Sequence, residues 1–175
     1  MLNLREVVSD EDAAEAEVGA TLTLSFEGRR RSRLLVRLDD QREAALLLPR
    51  GTTLTDGQRL RVEGQPWLVL VRAAAETLSV ARASDPHLIA RAAYHLGNRH
   101  VPVEIGPGWV AYEHDHVLDG LVRSLGLDVG TRVAPFEPES GGYKHDAARP
   151  EGSRAGNGRG HHHHHHHSHD GRHDP

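Results

Sequence analysis

The chain has 175 residues, a formal net charge of −4 with histidine neutral, and no cysteine. That length allows one ordinary domain or two small ones. A near-balanced charge without a basic stripe argues against nucleic-acid binding. The lack of thiols excludes disulfides and any thiolate metal site of the zinc-finger or copper(I) type.

Residues 1–18 are acidic, with Asp10, Glu11, Asp12, Glu15 and Glu17. They show neither the basic n-region nor the apolar h-region of a signal peptide. No apolar run approaches membrane-spanning length. The expectation is a soluble cytoplasmic protein without a membrane partner.

Residues 21–81 read as β structure. Thr21-Leu22-Thr23-Leu24-Ser25-Phe26 alternates with period two and places Leu22, Leu24 and Phe26 on one face. Leu34, Val36 and Leu38 repeat the pattern, Leu46-Leu47-Leu48 is stopped by Pro49, and Thr55-Asp56-Gly57 is a turn signal. Leu60, Val62 and residues 67–71 complete a set of short strands, which predicts a small all-β module. It contains no histidine, so docking rather than metal chemistry is its expected role.

The period then changes. Residues 77–83 read as a strand, and Asp85-Pro86 opens a helix, because Asp caps and Pro suits the first helical position. Ile89, Ala92, Ala93 and Leu96 form its buried stripe, with Gly97 as the stop. Residues 101–105 are predicted as a strand, Gly106-Pro107-Gly108 as a turn, and 109–113 as the second arm of a hairpin. Asp115 caps a second helix with the apolar face Val117, Leu118, Leu121, Val122 and Leu125, ended by Gly126. Residues 127–136 supply a last strand. The order β-α-β-β-α-β is the ferredoxin-like arrangement. The predicted class is therefore α+β, in three parts. Residues 1–75 form an N-terminal β domain for partner docking, and 76–140 a ferredoxin-like domain for metal binding and dimerisation. The third part, 141–175, is a Gly/His-rich tail.

The tail holds seven glycines and ten histidines. It has too little apolar surface to offset its ordering entropy and is expected to be disordered without metal. His145 comes first; His161, His162, His163, His164, His165, His166 and His167 form an unbroken run, followed by His169 and His173. Imidazole is the commonest side-chain metal ligand, and such a tract reads as metal-binding. A purification tag is the competing reading, but histidine continues beyond the run, whereas a tag usually stands as an isolated block.

Five histidines accompany the ferredoxin-like part. His87 lies in a first helical turn and His95 near a helix end, where structural roles suffice. His100 follows Gly97-Asn98-Arg99 in a loop. Alone it cannot hold a metal, but a two-fold axis could supply a second copy. His114-Asp115-His116 puts two imidazoles at a spacing that grips one ion in extended chain. The plainer alternative makes Asp115 an N-cap with histidines merely bordering it. A metal hydrolase would need a third ligand and a general base, and outside the tail no second H-x-H and no H-E-x-x-H is present. With imidazole and carboxylate as the ligands on offer, Ni²⁺ is accommodated, and Zn²⁺ or Cu²⁺ can compete.

Tyr94-His95-Leu96-Gly97-Asn98-Arg99-His100-Val101-Pro102 and Tyr112-Glu113-His114-Asp115-His116-Val117-Leu118 resemble the UreE family, the urease accessory nickel metallochaperones. Leu24-Ser25-Phe26-Glu27 with Arg33, and Leu48-Pro49-Arg50-Gly51, are similar to that family's N-terminal β domain. The resemblance implies a non-enzymatic homodimer that delivers Ni²⁺ to apo-urease through the accessory GTPase UreG and the other accessory proteins. It implies that His100 from both copies binds one ion, that His114 and His116 form a further site, and that the tail, including His145, adds ligands. Nickel or zinc storage by the tail is the alternative function.

Overall fold

The computed structural model describes residues 1–14 and 16–140. The tail lies outside them, and with it the expected disorder of 141–175 and the ligand roles of His145, the 161–167 run, His169 and His173.

The first half builds a six-stranded sheet. Its elements are β1 (Leu2–Val8), α1 (Asp10–Ala13), β2 (Val18–Leu24), α2 (Phe26–Arg29), β3 (Arg33–Arg37), β4 (Glu43–Leu47), β5 (Arg59–Val62) and β6 (Leu68–Ala73). The spatial order is β2-β6-β5-β1-β4-β3, with β1/β4 and β2/β6 parallel and the other pairs antiparallel. Leu4, Leu22, Leu46, Leu54, Leu60 and Val69 form its core with no exposed surface.

Two features depart from the sequence expectation. Strand β1 was not foreseen, although it is central to the sheet. A register shift between Leu4 and Glu6 breaks its period-two pattern, so Leu4 and Val8 are buried but Glu6 is exposed. Phe26 was expected to continue a strand. Instead the Ser25 hydroxyl accepts from the Gly28 N–H at 3.2 Å and starts α2 with Phe26 as its first residue. Phe26 then packs edge-on against Phe136, with ring centroids 5.4 Å apart.

The second half follows the predicted order: β7 (Ala75–Arg82), α3 (Pro86–Gly97), β8 (Glu104–Gly106), β9 (Trp109–Glu113), α4 (His116–Ser124) and β10 (Asp128–Pro135). The sheet order β10-β7-β9-β8, antiparallel throughout, is the ferredoxin-like one. Ala81, Ile89, Ala92, Leu96, Val110, Tyr112 and Val122 fill the space between helices and sheet. Strand β8 is shorter than the expected 101–105. Val101 donates its N–H to the Leu96 carbonyl and so still belongs to the turn that closes α3. At the hairpin, the Trp109 indole occupies the place a Cβ on residue 106 would take, which restricts that position to glycine. Val117, assigned from sequence to the apolar face of α4, is 65% exposed. The helix instead turns Leu118, Val122 and Leu125 inward, together with a polar residue, Asp119.

A buried arginine ties the end of the second half to the first. Arg29 is 1% exposed; its guanidinium donates to the carbonyls of Leu54 and Phe136 and pairs with Glu137 at 2.6 Å. Glu76 accepts from the Phe26 N–H at 2.8 Å.

Candidate metal centre

Helix α3 ends in a way that sets His100 apart. The His100 N–H donates to the Gly97 carbonyl at 2.8 Å, and the Val101 N–H reaches back to Leu96 at 3.2 Å. This pair of bonds is the Schellman closure, which needs one residue in the left-handed region. Glycine usually fills that place. Here it is His100, with φ 58°, and its side chain is exposed. A left-handed non-glycine residue costs roughly 1–2 kcal/mol, and such strain concentrates at functional positions.

His114 and His116 flank the start of α4. Asp115 is extended, with φ −145° and ψ 120°, and its carboxylate accepts from the N–H groups of Val117 at 2.7 Å and Leu118 at 3.0 Å. Asp115 is therefore the N-cap, as the sequence indicated, and its side chain is committed to the helix. These two backbone bonds, with smaller help from His116 and His114, lower its pKa. Both imidazoles are on exposed residues.

His114 has partners that sequence reasoning did not find. Ser79 and Tyr112 are register partners on β7 and β9, and His114 lies two residues further along the same face. The His114 Nδ1 is 2.9 Å from the Ser79 hydroxyl and 3.7 Å from the Asp119 carboxylate. The Tyr112 hydroxyl donates to Asp119 at 2.9 Å. Burial, then the bond to Asp119, raise the Tyr112 pKa, so the phenol keeps its proton. Arg123, one turn along α4, stands 3.7 Å from the same carboxylate. The available signal was Asp119 itself, a charge among Leu118, Val122 and Leu125, but only the fold shows that it faces inward.

The other histidines carry less. His87 is exposed in the first turn of α3, and its backbone N–H meets the capping Asp85. His95 packs edge-on against Tyr94. Among the described residues no three His, Asp or Glu side chains stand together closely enough to hold one ion. The described residues thus offer single imidazoles and the His114/His116 pair, not a closed site. Among the described residues, no helix is long and apolar enough to cross a membrane.

A β domain joined to a ferredoxin-like domain, with exposed histidines at its helix ends, is the class of protein that the fold defines. Family models place the chain within it more narrowly. The model described as UreE urease accessory protein, N-terminal domain, matches residues 3–74, and its C-terminal counterpart matches residues 76–173. The chain belongs to the UreE family of urease accessory proteins. A urease accessory protein UreE of Pseudomonas putida strain W619 is 54% identical over 127 residues, covering 73% of this chain and 79% of that one. The Alkalilimnicola ehrlichii relative is 54% identical over 128 residues, covering 73% and 78%. The Escherichia coli O157:H7 relative is 50% identical over 128 residues, covering 73% and 83%.

Proposed function

We propose that this urease accessory protein is a nickel metallochaperone: it binds Ni²⁺ and hands it to apo-urease during assembly of the metallocentre, without catalysing a reaction itself. The observation that carries the reading is His100, an exposed imidazole in a strained left-handed turn where glycine would be easier. The chain acts as a homodimer through the 76–140 domain, and two copies of His100 share one ion. The absence of a three-ligand cluster among the described residues supports a site completed across the dimer. So do Tyr94 on α3 and Val117 on α4, both 65% exposed, as apolar contacts for a partner. His114 and His116 form a further site in each protomer. The tail histidines, from His145 to His173, gather ions.

A site of imidazoles without thiolate suits cargo that must leave again. Cu²⁺ binds such ligands more tightly than Ni²⁺, so recognition by UreG, apo-urease and the other accessory proteins supplies the selectivity. These partners place the protein in the cytoplasm. The 1–75 domain docks to them. Calorimetric titration of His100→Ala tests the core of the reading. The tightest Ni²⁺ site, one per dimer, disappears while weaker binding persists; retention of that tight site rejects the assignment.

A further inference from the structure

We propose that Asp119, anchored by Tyr112, acts with Ser79 as a relay that fixes the His114 ring with its proton on Nδ1, leaving the Nε2 lone pair free for a divalent metal. The proposal rests on the reading of His114 as a ligand.

The relay follows from what faces the His114 Nδ1. A carboxylate only accepts, so the Tyr112 hydroxyl donates to Asp119 across 2.9 Å. Ser79 stands directly opposite Tyr112 in register, and its hydroxyl is 2.9 Å from the His114 Nδ1. The Ser79 oxygen can accept from His114 there, which puts the imidazole proton on Nδ1. The reverse arrangement would have Ser79 donate to Nδ1, put the proton on Nε2 and close the ring to metal. Asp119 decides between them. Its second oxygen lies 3.7 Å from Nδ1, where it attracts a proton and repels a lone pair.

Burial makes the arrangement firm. Ser79 and Tyr112 have no exposed surface and Asp119 only 4%, whereas the His114 side chain is 43% exposed. Ser79 and Asp119, both shielded from water, face one edge of a part-exposed ring, and Tyr112 holds Asp119 in place. Outer groups of this kind set the tautomer of a metal-binding histidine, and their loss commonly weakens the metal 10- to 100-fold. His116, exposed at the start of α4, makes no side-chain hydrogen bond recorded among the described residues. The pair is thus unequal, with His114 the pre-oriented ligand.

The test uses the full chain labelled with ¹⁵N. Long-range ¹H–¹⁵N correlations report the tautomer of each imidazole, and the His114 signals are those lost in His114→Gln. The expected result is Nδ1–H in the wild type, with a shift towards Nε2–H in Asp119→Asn and in Ser79→Ala. Zn²⁺, a diamagnetic probe for imidazole ligands, should then load His114 about 10- to 100-fold more weakly in both variants. A metal response at a wild-type His114 that carries Nε2–H overturns the relay alone. So does a tautomer and affinity unchanged in both variants. A wild-type His114 that is Nδ1–H but never responds to metal overturns the ligand reading, and the proposal with it. The wild-type tautomer is read without any substitution, so a variant that fails to fold does not block the outcome.

Discussion

His100 is the residue where stability and function pull apart. Its φ of 58° is one that glycine adopts without strain. His100→Gly relieves roughly 1–2 kcal/mol of strain and gives back about 0.5–1 kcal/mol through the freer unfolded chain. The expected outcome is a protein as stable as the wild type, or more stable by up to about 1.5 kcal/mol in urea unfolding, that has lost its tight Ni²⁺ site. A loss of more than about 1 kcal/mol would mean that the imidazole packs rather than waits for metal. His100 was legible as a candidate in the sequence, because Gly97-Asn98-Arg99-His100 resembles the UreE pattern. Its strain was not. Positive φ depends on how the helix end is closed, and that takes the Leu96 and Gly97 carbonyls together.

At the scale of elements, the helix starts were the most readable. Asp85 and Asp115 both cap as expected, because a capping carboxylate acts within three residues and needs no distant partner. Asp115 also carries a pH signature. Its folded pKa is lowered, so the stability it contributes is present above the unfolded carboxylate range, near 3.9, and fades as pH falls through the folded value. Asp115→Asn keeps an acceptor but lacks the charge. Melting curves of the two proteins should differ at neutral pH, with the wild type higher, and converge in acid. A difference that persists below the folded pKa would assign the effect to something other than ionisation. The strands were less readable. The bulge in β1 hid a central strand inside a segment that looked merely acidic, and Phe26 kept strand alternation although Ser25 caps a helix one residue earlier. In each case a local pattern was overridden by a contact from elsewhere, a neighbouring strand for β1 and Phe136 for Phe26.

At the scale of the molecule, Arg29 is the most consequential contact between distant parts of the chain. Its guanidinium satisfies two buried carbonyls and Glu137, which lies 108 residues away. Arg29→Ala leaves all three short of a donor and opens a void. It should cost roughly 3 kcal/mol in equilibrium unfolding, and a change below about 0.5 kcal/mol would show that the clamp is incidental. The sequence by itself determined the α+β class, the order of the second half and its two helix caps, and its short motifs pointed to the three histidines proposed as ligands among residues 1–140. These rest on hydrophobic period, capping chemistry and short motifs, all interactions within a few residues. Only the tertiary structure decided that Asp119 turns inward to Tyr112 and His114 while Val117 turns out. It also decided that His100 takes the left-handed turn and that an arginine in a polar run is buried beneath Phe136. Those outcomes depend on which segments the fold brings together, and a contact between residues far apart in the chain leaves no periodic trace in either one.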